Sequence, residues 1–421
     1  MAALLGGAEQ ETPGQAGNGK RETNKMTTDK FSRRTILGGM TAVGLGGLGG
    51  VARAAMPALP TSPVSLSIVD VAGTLALTRP AFDAYARQKS NLVSHIEYSK
   101  APAPELPGKL KAEQAAGRLD IDLVLTGVDA LSAGLKQGIW TPLFPDYAGA
   151  LPDPSAIYQP HALQMQKFAQ GHALEVVFCP AGPLLEYSPA LVKKVPTTTA
   201  DLLAWAQANP KQFIYARPEN SGPARIFMMG LPYLLGDANP RDPRKGWDKS
   251  WAFMAELGKT IEYYPSGTGA VMQELGSGLR AMTPTQTGWD INPRALGVVP
   301  ASVEVTKFDN QIIVCDAQFM AVPKGIKPEK LAVVLDLMKF MLQPAQQAVT
   351  YDDGYFYPGP AVKNVPLSMA PQKSQDVIAK FGRPWYDQMI ASAPTYMPLN
   401  ADDLVYALGR WDQQVGVITA S

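Results

Sequence analysis

From residue 64 onward, short apolar runs alternate with longer stretches whose apolar positions recur at helical spacing. "VSLSIVD" (64–70) reads as a strand, "RPAFDAYARQK" (79–89) as a helix with Pro80 near its first turn, and "LVSHIEYS" (92–99) as a strand again. A helix around "ELPGKLKAEQAAGR", the strand "IDLVLTG" (121–127) and a helix over "DALSAGLKQG" follow. This β-α-β-α-β-α order predicts a parallel sheet with helical crossovers, and ligands of such sheets sit beyond the carboxyl ends of the strands. The loops 70–74 and 126–128 therefore stand at the expected ligand edge.

After "HALEVVFCPAGPLLEYSP" the same grammar begins again. "TTADLLAWAQANP" is a helix that Thr198 or Thr199 caps, "QFIYARP" (212–218) is a strand, and "SGPARIFMMGLPYLL" is a helix opened by Ser221, Gly222 and Pro223. Residues 247–257 predict another helix, and "TIEYYPSGTGAVMQELGSG" is expected to run strand, loop, helix. The strand "NQIIVCDAQFMAVPKG" (310–325), the helix "PEKLAVVLDLMKFMLQP" (328–344) and two helices near 373–392 and 401–415 end the chain. No repeat of fixed period occurs.

The first sixty residues obey other rules. "FSRRTILGGMTAVGLGGLGGVARAA" (31–55) holds Gly44, Gly46 and Gly49 in a G-x-G-x-x-G spacing, with Asp70 about twenty residues on, as a dinucleotide site requires. Pro57, Pro60 and Pro63 forbid the helix that such a site needs after its glycines. An export signal accounts for more: Arg33 and Arg34, a mild apolar run over 36–51, and a small-x-small cleavage site ending at Ala54. Together with S-R-R-T-I-L this resembles the twin-arginine signals that carry folded proteins across the bacterial inner membrane, and it implies passage through the Tat translocon. The apolar run is shorter than the ~20 residues of a spanning helix. Residues 1–25 are polar and glycine-rich, so Met26 competes with Met1 as the start, the rival reading being a disordered extension. No cysteine stands directly after the cleavage site to take a lipid, and a soluble periplasmic chain is expected.

Removing residues 1–54 takes away seven basic and four acidic side chains and changes the formal charge from +1 to −2, so nothing suggests a nucleic-acid partner. The remaining chain, about 365 residues, is long enough for two lobes. Cys179 and Cys315, both in apolar strand-like runs, form either one disulfide or two buried thiols. His95, His161 and His172 are scattered and support no metal site, and no cofactor is expected. G-x-S-x-G, H-E-x-x-H and the P-loop are absent, which disfavours an enzyme. The alternative is a periplasmic enzyme with Asp70 and Asp290 as an acid/base pair across a cleft, which turnover of the ligand would reveal.

Two α/β units, "LLEYSPALVKKVPTTTADLLAWA" after the first crossover and "DAQFMAVPKGIKPEKLAVVLDLMKFMLQPAQQA" after the return resemble the extracellular solute-binding proteins of ABC importers, in the branch with polyamine, iron and thiamine binders. The likeness runs over about residues 61–418. It implies a two-lobed, type II-like periplasmic-binding-protein fold: lobe 1 at 61–178, completed by about 312–350, and lobe 2 at 180–308 with C-terminal helices at 365–418. Hinge strands join the lobes, and a monomer traps one small molecule in the cleft and hands it to a membrane permease.

Strand-end loops nominate the ligand contacts. Asp70 lines the cleft or caps the next helix; Thr74 and Thr126 stand beside it. Asn220, Ser221 and Gly222 offer helix-terminal amides to an anion, or simply cap that helix. Ser266 and Thr268 lie in a loop that cradles an anion or merely enters a helix. Trp289 and Asp290 suit an ammonium, or else form a packed Trp and a turn Asp. Tyr264, Tyr355 and Tyr357 complete the set, the last two read as packing ahead of ligand contact. Tyr263 and Tyr264 resemble the paired tyrosines of iron binders, but neighbours in a strand point to opposite faces, so no metal is expected. The ligand is thus read as an amine-bearing, zwitterionic or anionic organic solute.

Overall fold

The chain is described by a computed structural model covering residues 55–103 and 105–417. The export signal read around Arg33, Arg34 and Ala54, and the choice of start, lie outside the described residues. Among these, ten strands divide between two sheets: β1 (Val64–Asp70), β2 (Val93–Lys100), β3 (Leu123–Thr126), β4 (Ala173–Gly182), β5 (Leu184–Tyr187), β6 (Met282–Thr285), β7 (Glu304–Thr306), β8 (Ile313–Ala321), β9 (Gly359–Pro360) and β10 (Thr395–Tyr396). The larger sheet has the order β2-β1-β3-β8-β4-β9, with β10 beside β8, and the smaller is β6-β5-β7.

β1, β2 and β3 are parallel and linked by helices Thr74–Gln88 and Leu106–Ala115, as the alternating pattern predicts. The wholly parallel sheet needs correcting, because β8 lies antiparallel to both β3 and β4. β8 returns from the smaller sheet instead of through a strand-helix-strand crossover, so the handedness rule does not govern it. Every residue of β4 and β8 is buried, which explains why both read as continuous apolar runs. Only Pro183 separates β4 from β5, so the chain passes directly from one sheet to the other.

Three element boundaries differ from the reading. The first helix begins at Thr74, not near Pro80, because the Asp70 carboxylate accepts the backbone N–H groups of Ala72, Thr74 and Leu75 at 3.0–3.1 Å and starts it early. Residues 212–218 and 260–265 are not strands; Phe213 makes one bridge to Met282, and Pro218 and Pro265 cannot donate to a ladder. The helix expected over 373–392 breaks at Gly382, Arg383 and Pro384 into Gln372–Phe381 and Tyr386–Ser392.

Cys179 and Cys315 are both free and buried, so the disulfide alternative is corrected. Cys179 is paired across the β4–β8 ladder with Asp316, and directly paired residues share a face. Cys315, next to Asp316 along the strand, therefore faces the other side of the sheet.

The C-terminal helix Ala401–Gln414 packs along helix Val128–Gln137, while its Trp411 ring meets Tyr215 and Tyr264 at centroid distances of 6.0 and 4.8 Å. No helix among the described residues is long and apolar enough to cross a membrane.

Candidate functional site

A cavity of about 270 Å³ opens where loops attached to the two sheets meet. The larger sheet contributes Val71, Ala72 and Gly73 beyond β1, Asp129 in the first turn of helix Val128–Gln137, and Asp316 and Gln318 from β8. Opposite them stand the start of helix Gly222–Leu234, with Ser221 and Arg225, and Thr268, Gln286 and Trp289. Tyr355 and Phe356 close one end, the Tyr355 ring edge-on to Trp289 at 4.7 Å.

Arg225 organises the interior. Its Nη1 donates to Asp129 Oδ2 at 3.0 Å and to the Pro218 carbonyl at 3.3 Å, and its Nη2 lies 3.6 Å from Asp316 Oδ2. Asp316 Oδ1 accepts the Ala317 N–H at 2.9 Å. Burial raises the Asp316 carboxyl above its ordinary value, against the lowering effect of Arg225. Burial works to lower the Arg225 guanidinium, but Asp129 and Asp316 more than offset it and hold the group above its ordinary value. Burial also raises the Tyr355 phenol, with Asp70 and Asp352 adding to it, so Tyr355 remains a hydrogen-bond donor.

Several buried polar atoms on residues that line this cavity have no hydrogen-bond partner in the protein: Arg225 Nε, Asp316 Oδ2, Trp289 Nε1, and both amide atoms of Gln286. Leaving a buried polar atom unpaired costs about 1–3 kcal/mol, so five on the residues around one space form an arrangement that a polar guest would satisfy. The arrangement mixes donors and acceptors, with an aromatic wall at one end. Gly222 leaves the room: a Cβ there would come within 3.2 Å of Gln286 and 3.5 Å of Asp316.

Of the residues read from the sequence, Asn220, Ser221, Gly222, Thr268, Trp289 and Tyr355 come together around this cavity. Ser221 also caps its helix, accepting from Ala224 N–H, and Thr268 donates to the Ser221 hydroxyl at 2.8 Å. The others stand elsewhere. Asp70 is buried as a helix cap, Thr74 lies behind Gln318 and donates to it at 2.9 Å, and the Thr126 hydroxyl donates to the Gly127 carbonyl. Tyr264 is buried beside Tyr215 and Trp411, and Ser266 is exposed outside the cavity. Asp290 is fully buried, paired with Arg294 at 2.6 Å and Arg383 at 2.9 Å and accepting from Tyr386. Tyr357 donates to Asp387. Both Asp70 and Asp290 are committed to structural partners away from the cavity lining, so no acid/base pair faces across it.

Sequence reading missed Asp129, Arg225, Gln286, Asp316 and Gln318. The signal was present in β8, where Asp316 and Gln318 interrupt an apolar run at alternate positions and so share one face. Arg225 is likewise the sole charged residue of helix Gly222–Leu234. Among the described residues no three His, Cys, Asp or Glu side chains converge as metal ligands.

A family model described as bacterial extracellular solute-binding protein matches residues 81–380. No curated protein matches significantly in sequence. Among solved structures, the chain is similar to the spermidine/putrescine ABC transporter substrate-binding protein of Streptococcus pneumoniae (TM-score 0.55, 13% identity, covering 82% of this chain and 99% of that one). It is also similar to a ferric binding protein from Campylobacter jejuni (0.59, 14%, 83% and 98%) and to a periplasmic thiamin binding protein (0.58, 15%, 85% and 99%). At these identities the likeness carries the fold, which is the two-lobed α/β architecture of periplasmic binding proteins.

Proposed function

Because this chain belongs to the bacterial extracellular solute-binding protein family, a family of binders and not of enzymes, we propose that it is the solute-capturing component of an ABC importer. It binds one small polar organic molecule, amine-bearing or zwitterionic/anionic, in the cavity around Arg225, Asp316 and Trp289, closes over it by a hinge motion and passes it to a membrane permease. The lobes are those read from the sequence, 61–178 with about 312–350 and 180–308 with the C-terminal helices, and β4 and β8 are the hinge strands. The twin-arginine signal delivers the chain to the periplasm, where it works as a monomer.

One observation carries this reading: five buried polar atoms without a hydrogen-bond partner belong to residues that line a single cavity between loops of the two sheets. A ligand that binds only the folded state raises the melting temperature in proportion to the logarithm of its concentration. The test is a thermal-melting screen of amines, amino acids, organic anions and metal ions, followed by Trp fluorescence, since Trp289 lines the cavity. A cognate solute raises the melting temperature, shifts the emission and is recovered chemically unchanged. Turnover of the solute would favour an enzyme; absence of any shift, with no solute retained in native mass spectrometry, would remove the binding function.

A further inference from the structure

Charge at the cavity can be counted. Of the described residues lining it, only Asp129, Arg225 and Asp316 are charged, and their side chains are 13, 4 and 1% exposed. Arg225 is hydrogen-bonded to Asp129 and ion-paired with Asp316 Oδ2 at 3.6 Å, one cation between two carboxylates, so one negative charge is in excess. Asp70 does not alter the count, because it lies outside the lining and its carboxylate is engaged by three backbone N–H groups. Arg225 Nε and Trp289 Nε1, on residues lining the same cavity, have no hydrogen-bond acceptor in the protein and call for one on the guest.

We propose, resting on the binding function above, that the cleft selects a small organic solute with one net positive charge and a hydrogen-bond acceptor, and that Arg225 is the specificity residue that excludes polyamines. The solute's ammonium neutralises Asp316 beside the Trp289 and Tyr355 rings, and its acceptor takes the donors of Arg225 and Trp289. A second ammonium finds no further excess negative charge and meets the buried guanidinium, a like-charge contact that rejects the wrong ligand. The likeness to a spermidine/putrescine binder lies at 13% identity and does not extend to this charge count.

The experiment is titration calorimetry of the full chain at neutral pH with four probes. N-acetylputrescine and N-acetylcadaverine each carry a single ammonium, one net positive charge and an amide acceptor; putrescine and spermidine carry two and three charges. Native mass spectrometry of solute retained through purification accompanies it. The expected result is that one of the first two probes binds about tenfold or more tighter than both polyamines. Arg225→Gln then narrows or reverses that preference, and Asp316→Asn abolishes binding of the singly charged probe. The unmutated comparison decides the matter even where a variant misfolds. Polyamines binding as tightly as the singly charged probes, or a retained solute of any other net charge, overturns the selection rule while leaving the binding function intact. A retained singly charged solute supports the rule even when neither probe binds. Silence of all four probes with no retained solute overturns the selection rule, and the binding function falls with it only where the broader melting screen is silent as well.

Discussion

Replacing Trp289 by Ala removes one wall of the cavity and a free indole donor, and is expected to cost about 1–3 kcal/mol of binding free energy with little loss of fold stability, measured by calorimetry and melting. Its neighbour behaves in the opposite way. Asp290→Ala leaves Arg294 buried without its carboxylate, takes from Arg383 one of its two, the other being Glu304, and is expected to destabilise the fold by about 3–5 kcal/mol, read from urea denaturation. The pair Trp289-Asp290 was legible as a unit, but its chemistry divides: one residue faces the guest and the other pins the loop. Behind that pin, Glu186 is fully buried, and burial with help from Asp290 pushes its carboxyl up to about 8. An unfolded Glu ionises near pH 4.3, so the folded chain holds a proton that the unfolded chain has lost across that interval, and stability falls as pH rises from about 4 to about 8. Glu186→Gln should therefore melt higher than the parent at about pH 9 and at nearly the same temperature at about pH 4.

At the level of elements, the strands of the larger sheet were readable because apolar runs and flanking turns report burial directly. Strand direction was not, since the antiparallel placement of β8 depends on where the chain has been, not on its own residues. For the same reason the site was only partly readable. Loop residues such as Ser221 and Trp289 announce themselves by position, whereas Asp316 and Gln318 sit inside a central strand that reads as core. Arg225 lies in a buried helix, where an unpaired charge would be prohibitive and only the spatial neighbours Asp129 and Asp316 make it tolerable. The 286–290 loop reaches the cavity because Gly288, at φ 86°, lets it lie against the segment around Tyr357. A Cβ there would stand 2.3 Å from the Tyr357 nitrogen, so Gly288→Ala is expected to lower both the melting temperature and solute affinity.

On the scale of the whole molecule, the C-terminal helix joins regions that sequence order keeps apart, touching helix Val128–Gln137 along its length and the Tyr215–Tyr264 cluster through Trp411. Trp411→Ala should cost about 3–5 kcal/mol of stability, seen as a lower denaturation midpoint, because a fully buried ring is lost. The two cysteines bear on something else, the history of the chain before it meets any solute. With both thiols buried and turned to opposite faces of one sheet, no covalent closure waits on an oxidant. Burial holds both thiols well above their ordinary ionisation range, so neither offers the thiolate that exchange chemistry requires. Folding can thus run to completion in a reducing compartment, and adding or withholding a reductant should leave the melting curve unchanged.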